Sequence, residues 1–139
     1  MLFHNKCLTA DNLAKRVWPH NTTCPFCNTD PETAVHLHIS CSYAQDCWSQ
    51  VLARTSMPAL LMPSPNSESV ISCWSSIATL APANIIRRWR SLALITWWNL
   101  WKARNDRIFN NKLVSSSDLA DTILQELAQW RAAGILITV

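Results

Sequence analysis

Cys24-Pro-Phe-Cys27-Asn-Thr-Asp-Pro-Glu-Thr-Ala-Val-His36-Leu-His38-Ile-Ser-Cys41 gathers more potential metal ligands at usable spacing than any other stretch of the chain. Two residues separate Cys24 from Cys27, so one tight turn can aim both sulfurs at a single ion. Pro31-Glu32-Thr33 suits the first turn of a short helix running to about Ile39, with proline placed where its missing N–H costs nothing. His36 then stands on that helix and Cys41 just beyond it. His38 lies about 200° further round the helix, so the two imidazoles cannot face one ion. The spacing favours His36, whose separation from Cys41 is about one helical turn plus a loop residue. Three thiolates and one imidazole fill a tetrahedral zinc shell, and a shell closed by protein groups leaves no position for an activated water. The stretch reads as a structural Zn2+ site held by Cys24, Cys27, His36 and Cys41.

Outward from this knuckle, 139 residues with 49% apolar content suit one domain large enough to bury roughly two-thirds of the unfolded surface. A single glycine argues against hairpin-rich sheet and phosphate-cradling loops, both of which use positive φ angles. The expected fold is mostly α, a small zinc knuckle followed by a helical bundle with a long Trp-rich central helix. Residues 1–56 form the zinc-binding region with its flanking helices, 57–69 a Pro/Ser-rich linker, and 70–139 a helical region packed with the first as one domain.

Before the knuckle, Leu2, Phe3, Cys7 and Leu8 resemble the end of an apolar helix that begins earlier. Thr9 can cap a helix over 10–17, with Asp11 favouring its dipole and Trp18-Pro19 stopping it. After the knuckle, a helix over 42–52 carries Tyr43, Cys47, Trp48, Val51 and Leu52. Cys47 belongs in the core and Trp48 behind the metal site. A helix over 69–80 buries Val70, Cys73, Trp74 and Ile77 at three-and-four spacing. The longest element runs from Asn84 to about Phe109, with apolar residues on more than one stripe, and so must be central. Its ends are basic: Arg87, Arg88 and Arg90 at the start, Lys102, Arg104 and Arg107 at the finish. A last helix, 117–133, buries Leu119, Ile123, Leu127 and Trp130, and Gly134 is placed to close it.

Composition excludes several function classes. The net charge of +3 and pI near 8.6 are mildly basic, permitting a nucleic-acid partner without demanding one. No secretory signal is legible at the start, so an intracellular location, the nucleus included, is expected. The apolar run 92–101 is far shorter than the roughly 20 residues of a membrane span. Six cysteines could form three disulfides in a secreted scaffold, but a reducing compartment and the spacing favour metal. Cys24-Pro-Phe-Cys27 has the spacing of a glutaredoxin pair; yet a redox cysteine follows a strand and opens a helix, whereas Cys27 leads into Asn-Thr-Asp-Pro. With no nucleophile–base pair, carboxylate pair or phosphate loop, and no small-molecule substrate implied, enzyme is the weakest class. Eight tryptophans leave a protein-interaction module open, because exposed Trp97, Trp98 or Trp101 would serve as interface anchors.

The ordered set Thr9-Ala-Asp-Asn-Leu-Ala-Lys-Arg16, Trp18-Pro19, Cys24-Pro-x-Cys27, Glu32-Thr33-x-x-His36-Leu37, and Cys41 followed by Trp48 resembles the zinc-binding region of plant non-LTR (LINE-type) retrotransposon reverse transcriptases. Trp101-Lys-Ala-Arg104-Asn105-Asp-Arg107-Ile-Phe109 is similar to the tryptophan-rich segment that follows that region, so the resemblance covers roughly residues 1 to 110. It implies zinc on Cys24, Cys27, His36 and Cys41, in agreement with the spacing. It also implies a polymerase core upstream in a longer polypeptide, since nothing here matches the paired catalytic aspartates or a ribonuclease H site. The chain looks like a detached piece or stand-alone descendant of such a protein. RNA or DNA is the expected partner, reached through Lys15, Arg16 and His20 near the knuckle and through Arg87, Arg88 and Arg90 if they share its face. Such phosphate contact is largely sequence-independent and salt-sensitive. A zinc site with three thiolates carries about −1, which Lys15, Arg16 or backbone N–H groups are expected to stabilise.

Overall fold

The structure, a computed structural model, describes residues 23–134; the expected helix over 10–17 lies outside them. Four α-helices follow the knuckle: α1 (Ser42–Arg54), α2 (Val70–Ile77), α3 (Ala83–Phe109) and α4 (Ser116–Ala132). No strand occurs among the described residues, only an isolated antiparallel bridge between Thr23 and Pro31 that closes the knuckle. The fold is therefore mostly α.

Helix ends follow from local chemistry. Ser69 and Ser115 cap α2 and α4 by accepting from the N–H groups of Ser72 and Asp118, at 3.0 and 3.1 Å. Pro82 precedes α3, and Gly134, at φ 72°, follows the Ala133 cap of α4. α2 ends at Ile77, three residues short of the expected Leu80, and turns lead from there to Pro82. Positive φ is not confined to glycine: Asn28, Ser56 and Asn111 adopt it at turns.

The helix expected over 31–39 takes a different winding. Thr33 caps it, accepting from the His36 N–H at 3.1 Å, and His36–Ser40 is then a π-turn in which the Cys41 N–H donates to the His36 carbonyl at 2.8 Å. This turn packs against both α1 and α3.

α1 lies chiefly against α4, which also runs along α3. The core is continuous from Cys24 and Leu37 through Trp48 and Trp89 to Ile123. Its centre is aromatic: Trp48 stacks on Trp89 at 5.7 Å, Trp97 meets both near 6 Å, and Trp74 flanks Trp89 and Trp97. α3 buries residues on several sides, as a central helix must, although Trp98 and Ile108 remain exposed. Residues 57–69 are pinned to this core. Leu61 is fully buried and its carbonyl accepts from Trp89 Nε1, while Gln45 bonds the Pro63 carbonyl. Among the described residues no helix is long and apolar enough to cross a membrane.

Candidate metal centre

The first two sulfurs come from one turn. The Asn28 N–H donates to the Cys24 carbonyl and the Cys24 N–H to the Asp30 carbonyl, at 2.9 and 2.8 Å, with Asn28 in the left-handed region at φ 58°. His36 and Cys41 stand at the two ends of the π-turn. Its wider closure brings residues five apart onto one side, and such turns recur at functional sites.

The structure brings Cys24, Cys27, His36 and Cys41 together, their donor atoms all within 4.8 Å of one another. Cys24 Sγ is 3.9 Å from Cys41 Sγ, and Cys27 Sγ 3.4 Å from His36 Nε2. A zinc tetrahedron with ordinary Zn–S and Zn–N bonds has edges of about 3.5 to 3.8 Å, so the donors fit the ion with small adjustment. His38 is not in the cluster. It is buried, with Nδ1 2.8 Å from the Ala34 carbonyl, and burial lowers its pKa to about 4, which keeps it neutral.

The three sulfurs differ electrostatically. The Cys24 thiol, followed by the Tyr43 and Ala44 amides at the start of α1 and the charge of His36, lowers Cys41 to about 5 against the opposing effect of burial. Cys24 is pushed up by its hydrogen bond to Cys41 and by burial. At Cys27 burial acts upward, but the Thr29 hydroxyl, the Asp30 and Thr29 amides and the His36 ring outweigh it and bring the thiol below its ordinary value. Cys27 and Cys41 are thus drawn toward the thiolate while Cys24 keeps its proton against Cys41, a proton that a cation bound at the cluster would displace. No disulfide occurs among the described cysteines. Cys47 and Cys73 are buried away from the cluster, with their pKa values raised to about 12 and about 11, chiefly by burial. Trp48 is fully buried behind the π-turn and donates to the His38 carbonyl at 3.2 Å.

Of the cationic residues expected at a phosphate surface, Lys15, Arg16 and His20 lie outside the described residues. Arg87 is exposed, Arg88 half-buried, and Arg90 sets its guanidinium over Trp74 at 4.8 Å. These three stand near the start of α3, roughly 25 Å along its axis from the turn that meets the knuckle.

Two other arginines reach the centre. Arg104 makes a bidentate pair with Glu32, Nε to Oε1 at 2.7 Å and Nη2 to Oε2 at 3.2 Å, both side chains almost fully buried. Arg107 Nη1 donates to the Pro25 and Phe26 carbonyls at 3.0 and 3.4 Å. Its guanidinium packs 4.9 Å from the Phe26 and Tyr43 rings, themselves stacked at 4.3 Å. Sequence reasoning placed both arginines at a basic helix end. A signal was present for Arg104: it stands four and seven positions after the buried Leu100 and Trp97, on the inward face.

Residues 1–48 match the family model described as zinc-binding in reverse transcriptase. The match spans 48 of 139 residues and includes all four clustered donors. No curated protein and no solved structure matches the chain. The matched family is a zinc-binding one, not a catalytic domain, and the clustered donor set is suited to zinc.

Proposed function

We propose that this chain is the non-catalytic zinc-binding module of a retrotransposon-type reverse transcriptase of the non-LTR class, that it holds Zn2+ through Cys24, Cys27, His36 and Cys41, and that it contacts RNA or DNA inside the cell. The observation that carries the reading is the convergence of one imidazole and three thiols at zinc spacing within the segment that matches the family. Zinc bound there supplies a structural cross-link and no activated water, because protein groups fill its shell. The chain's own residues do the rest: the knuckle turn aims Cys24 and Cys27, the π-turn spaces His36 and Cys41, and Trp48 excludes water. Residues 1–56 and 70–139 act as one domain, a division supported by the anchoring of Leu61 and by the Glu32–Arg104 pair. The polymerase lies elsewhere in the longer polypeptide.

A second reading, a protein-interaction module folded by zinc, is favoured by Trp98 and Phe109, which are 55% and 72% exposed on α3. Elemental mass spectrometry of protein purified under reducing conditions tests the centre. The expected result is one zinc per chain, lost together with helical signal in the double variant Cys24→Ser, Cys41→Ser. Absence of metal from a folded wild type would overturn the proposal. Fluorescence anisotropy with single-stranded RNA and DNA then separates the readings: a nucleic-acid module binds with affinity that falls steeply as salt rises, whereas an interaction module does not bind.

A further inference from the structure

The knuckle is gripped from outside by a helix that begins more than forty residues after its last ligand. Pro25 and Phe26 are the two residues between Cys24 and Cys27, and their carbonyls receive Arg107 Nη1. The guanidinium thus holds the same turn that aims both sulfurs. Arg107 Nη2 reaches the Val114 carbonyl at 3.5 Å, and that oxygen also accepts from the Tyr43 hydroxyl at 2.8 Å, two residues after the last ligand. One turn earlier on α3, Arg104 clasps Glu32, next to the Thr23–Pro31 bridge that shuts the loop. The two arginines therefore bracket residues 24–32 at both ends.

Their charges differ in effect. That of Arg104 is matched by Glu32 in a buried pair. Arg107 donates instead to the Pro25, Phe26 and Val114 carbonyls, so its positive charge lies against the backbone of the turn that carries Cys24 and Cys27; three thiolates and one zinc ion would give the centre about −1. Groups just outside the ligands orient them and tune the metal, and their loss typically costs about 10- to 100-fold in metal affinity.

We infer that Arg107 is a positioning residue of the metal centre, fixing the Cys24–Cys27 turn and offsetting the thiolate charge, with Arg104 as its brace. Zinc retention then depends on the far end of α3, and the knuckle is completed only when α3 is docked. This rests on the zinc reading above, and the test keeps the two apart. Zinc affinity is measured on the full chain by competition with a chromophoric chelator, with the rate of zinc transfer and the Co2+ absorption spectrum as companions. In Arg107→Gln the expected affinity loss is about 10- to 100-fold, with faster transfer and a shifted Co2+ band. Arg107→Lys, which keeps the charge but not the two-carbonyl grip, recovers part of the loss, and it decides the matter if Arg107→Gln does not fold. Ile123→Val loosens the buried face of α4, a helix that carries none of the four clustered donors, and should leave affinity within about twofold. Equal affinity, transfer rate and Co2+ spectrum in folded Arg107 variants overturn the inference while leaving the zinc site standing. A wild-type chain that takes up no zinc overturns the functional reading, and the inference with it.

Discussion

His36 and His38 carry the same ring two positions apart, and their surroundings give them opposite tasks. His36 sits half-buried with Nε2 turned to the Cys27 sulfur, whereas His38 is sealed in the core on the Ala34 carbonyl. His36→Ala should abolish stoichiometric zinc uptake. His38→Phe should keep one zinc per chain, read by the same elemental analysis, while costing about 1–3 kcal/mol in urea unfolding through its lost buried hydrogen bond. Cys47 supplies a pH prediction. Burial first, then the charge of Asp46, raises its thiol to about 12, against a lesser opposing effect of Arg54. A folded pKa above the unfolded value of 9.0 means that its contribution is intact below pH 9 and is lost as pH rises from there toward 12. Cys47→Ala should therefore flatten the decline in unfolding free energy between pH 8 and pH 10.5, at most about 1.4 kcal/mol per pH unit. The gathered donors were legible in sequence because ligand chemistry fixes both residue type and spacing. The partners of Arg104 and Arg107 were not, because they lie 72 and 82 positions away; the inward register of Arg104 was the one available signal.

Among the elements, the π-turn and α3 gain most from tertiary context. The sequence reads residues 31–39 as an ordinary helix, since a π-turn differs only by a carbonyl accepting from five residues ahead, which leaves no mark in propensity. The caps of α2 and α4 were readable, because serine oxygens satisfy backbone donors locally; Ser115→Ala should lower stability by about 1 kcal/mol. The joint between knuckle and α3 is a buried ion pair, for which geometry and desolvation compete. Glu32→Leu or Arg104→Met alone should destabilise by about 3–5 kcal/mol, because each strands a buried charge. The pair Glu32→Leu with Arg104→Met should recover most of that loss. A double-mutant cycle in chemical denaturation checks both, and independence of the two sites would remove the joint.

For the whole molecule, the sequence made the helical class, the central place of the long helix and the inward face of α4 legible through periodicity. Which tryptophans would be covered was not, because Trp97 and Trp98 are neighbours on a helix with apolar residues on several sides. Only packing separates Trp97, 1% exposed, from Trp98 at 55%. Trp97→Ala should cost about 3–5 kcal/mol, as other large core truncations do. Trp98→Ala should change stability by less than about 0.5 kcal/mol and act instead on any partner that covers α3; thermal unfolding of the two variants makes the comparison.

The four clustered indoles also give the protein an optical signature. With centroids near 6 Å, Trp48, Trp74, Trp89 and Trp97 exchange excitation energy and couple their transitions, so the near-ultraviolet dichroism reports their mutual angles. One of them, Trp48, is tied through its N–H to the carbonyl of His38, inside the turn that spaces His36 and Cys41, two of the four clustered donors. A zinc titration followed by near-ultraviolet dichroism, without label or indicator, should therefore show a change that saturates at one equivalent and is absent in His36→Ala.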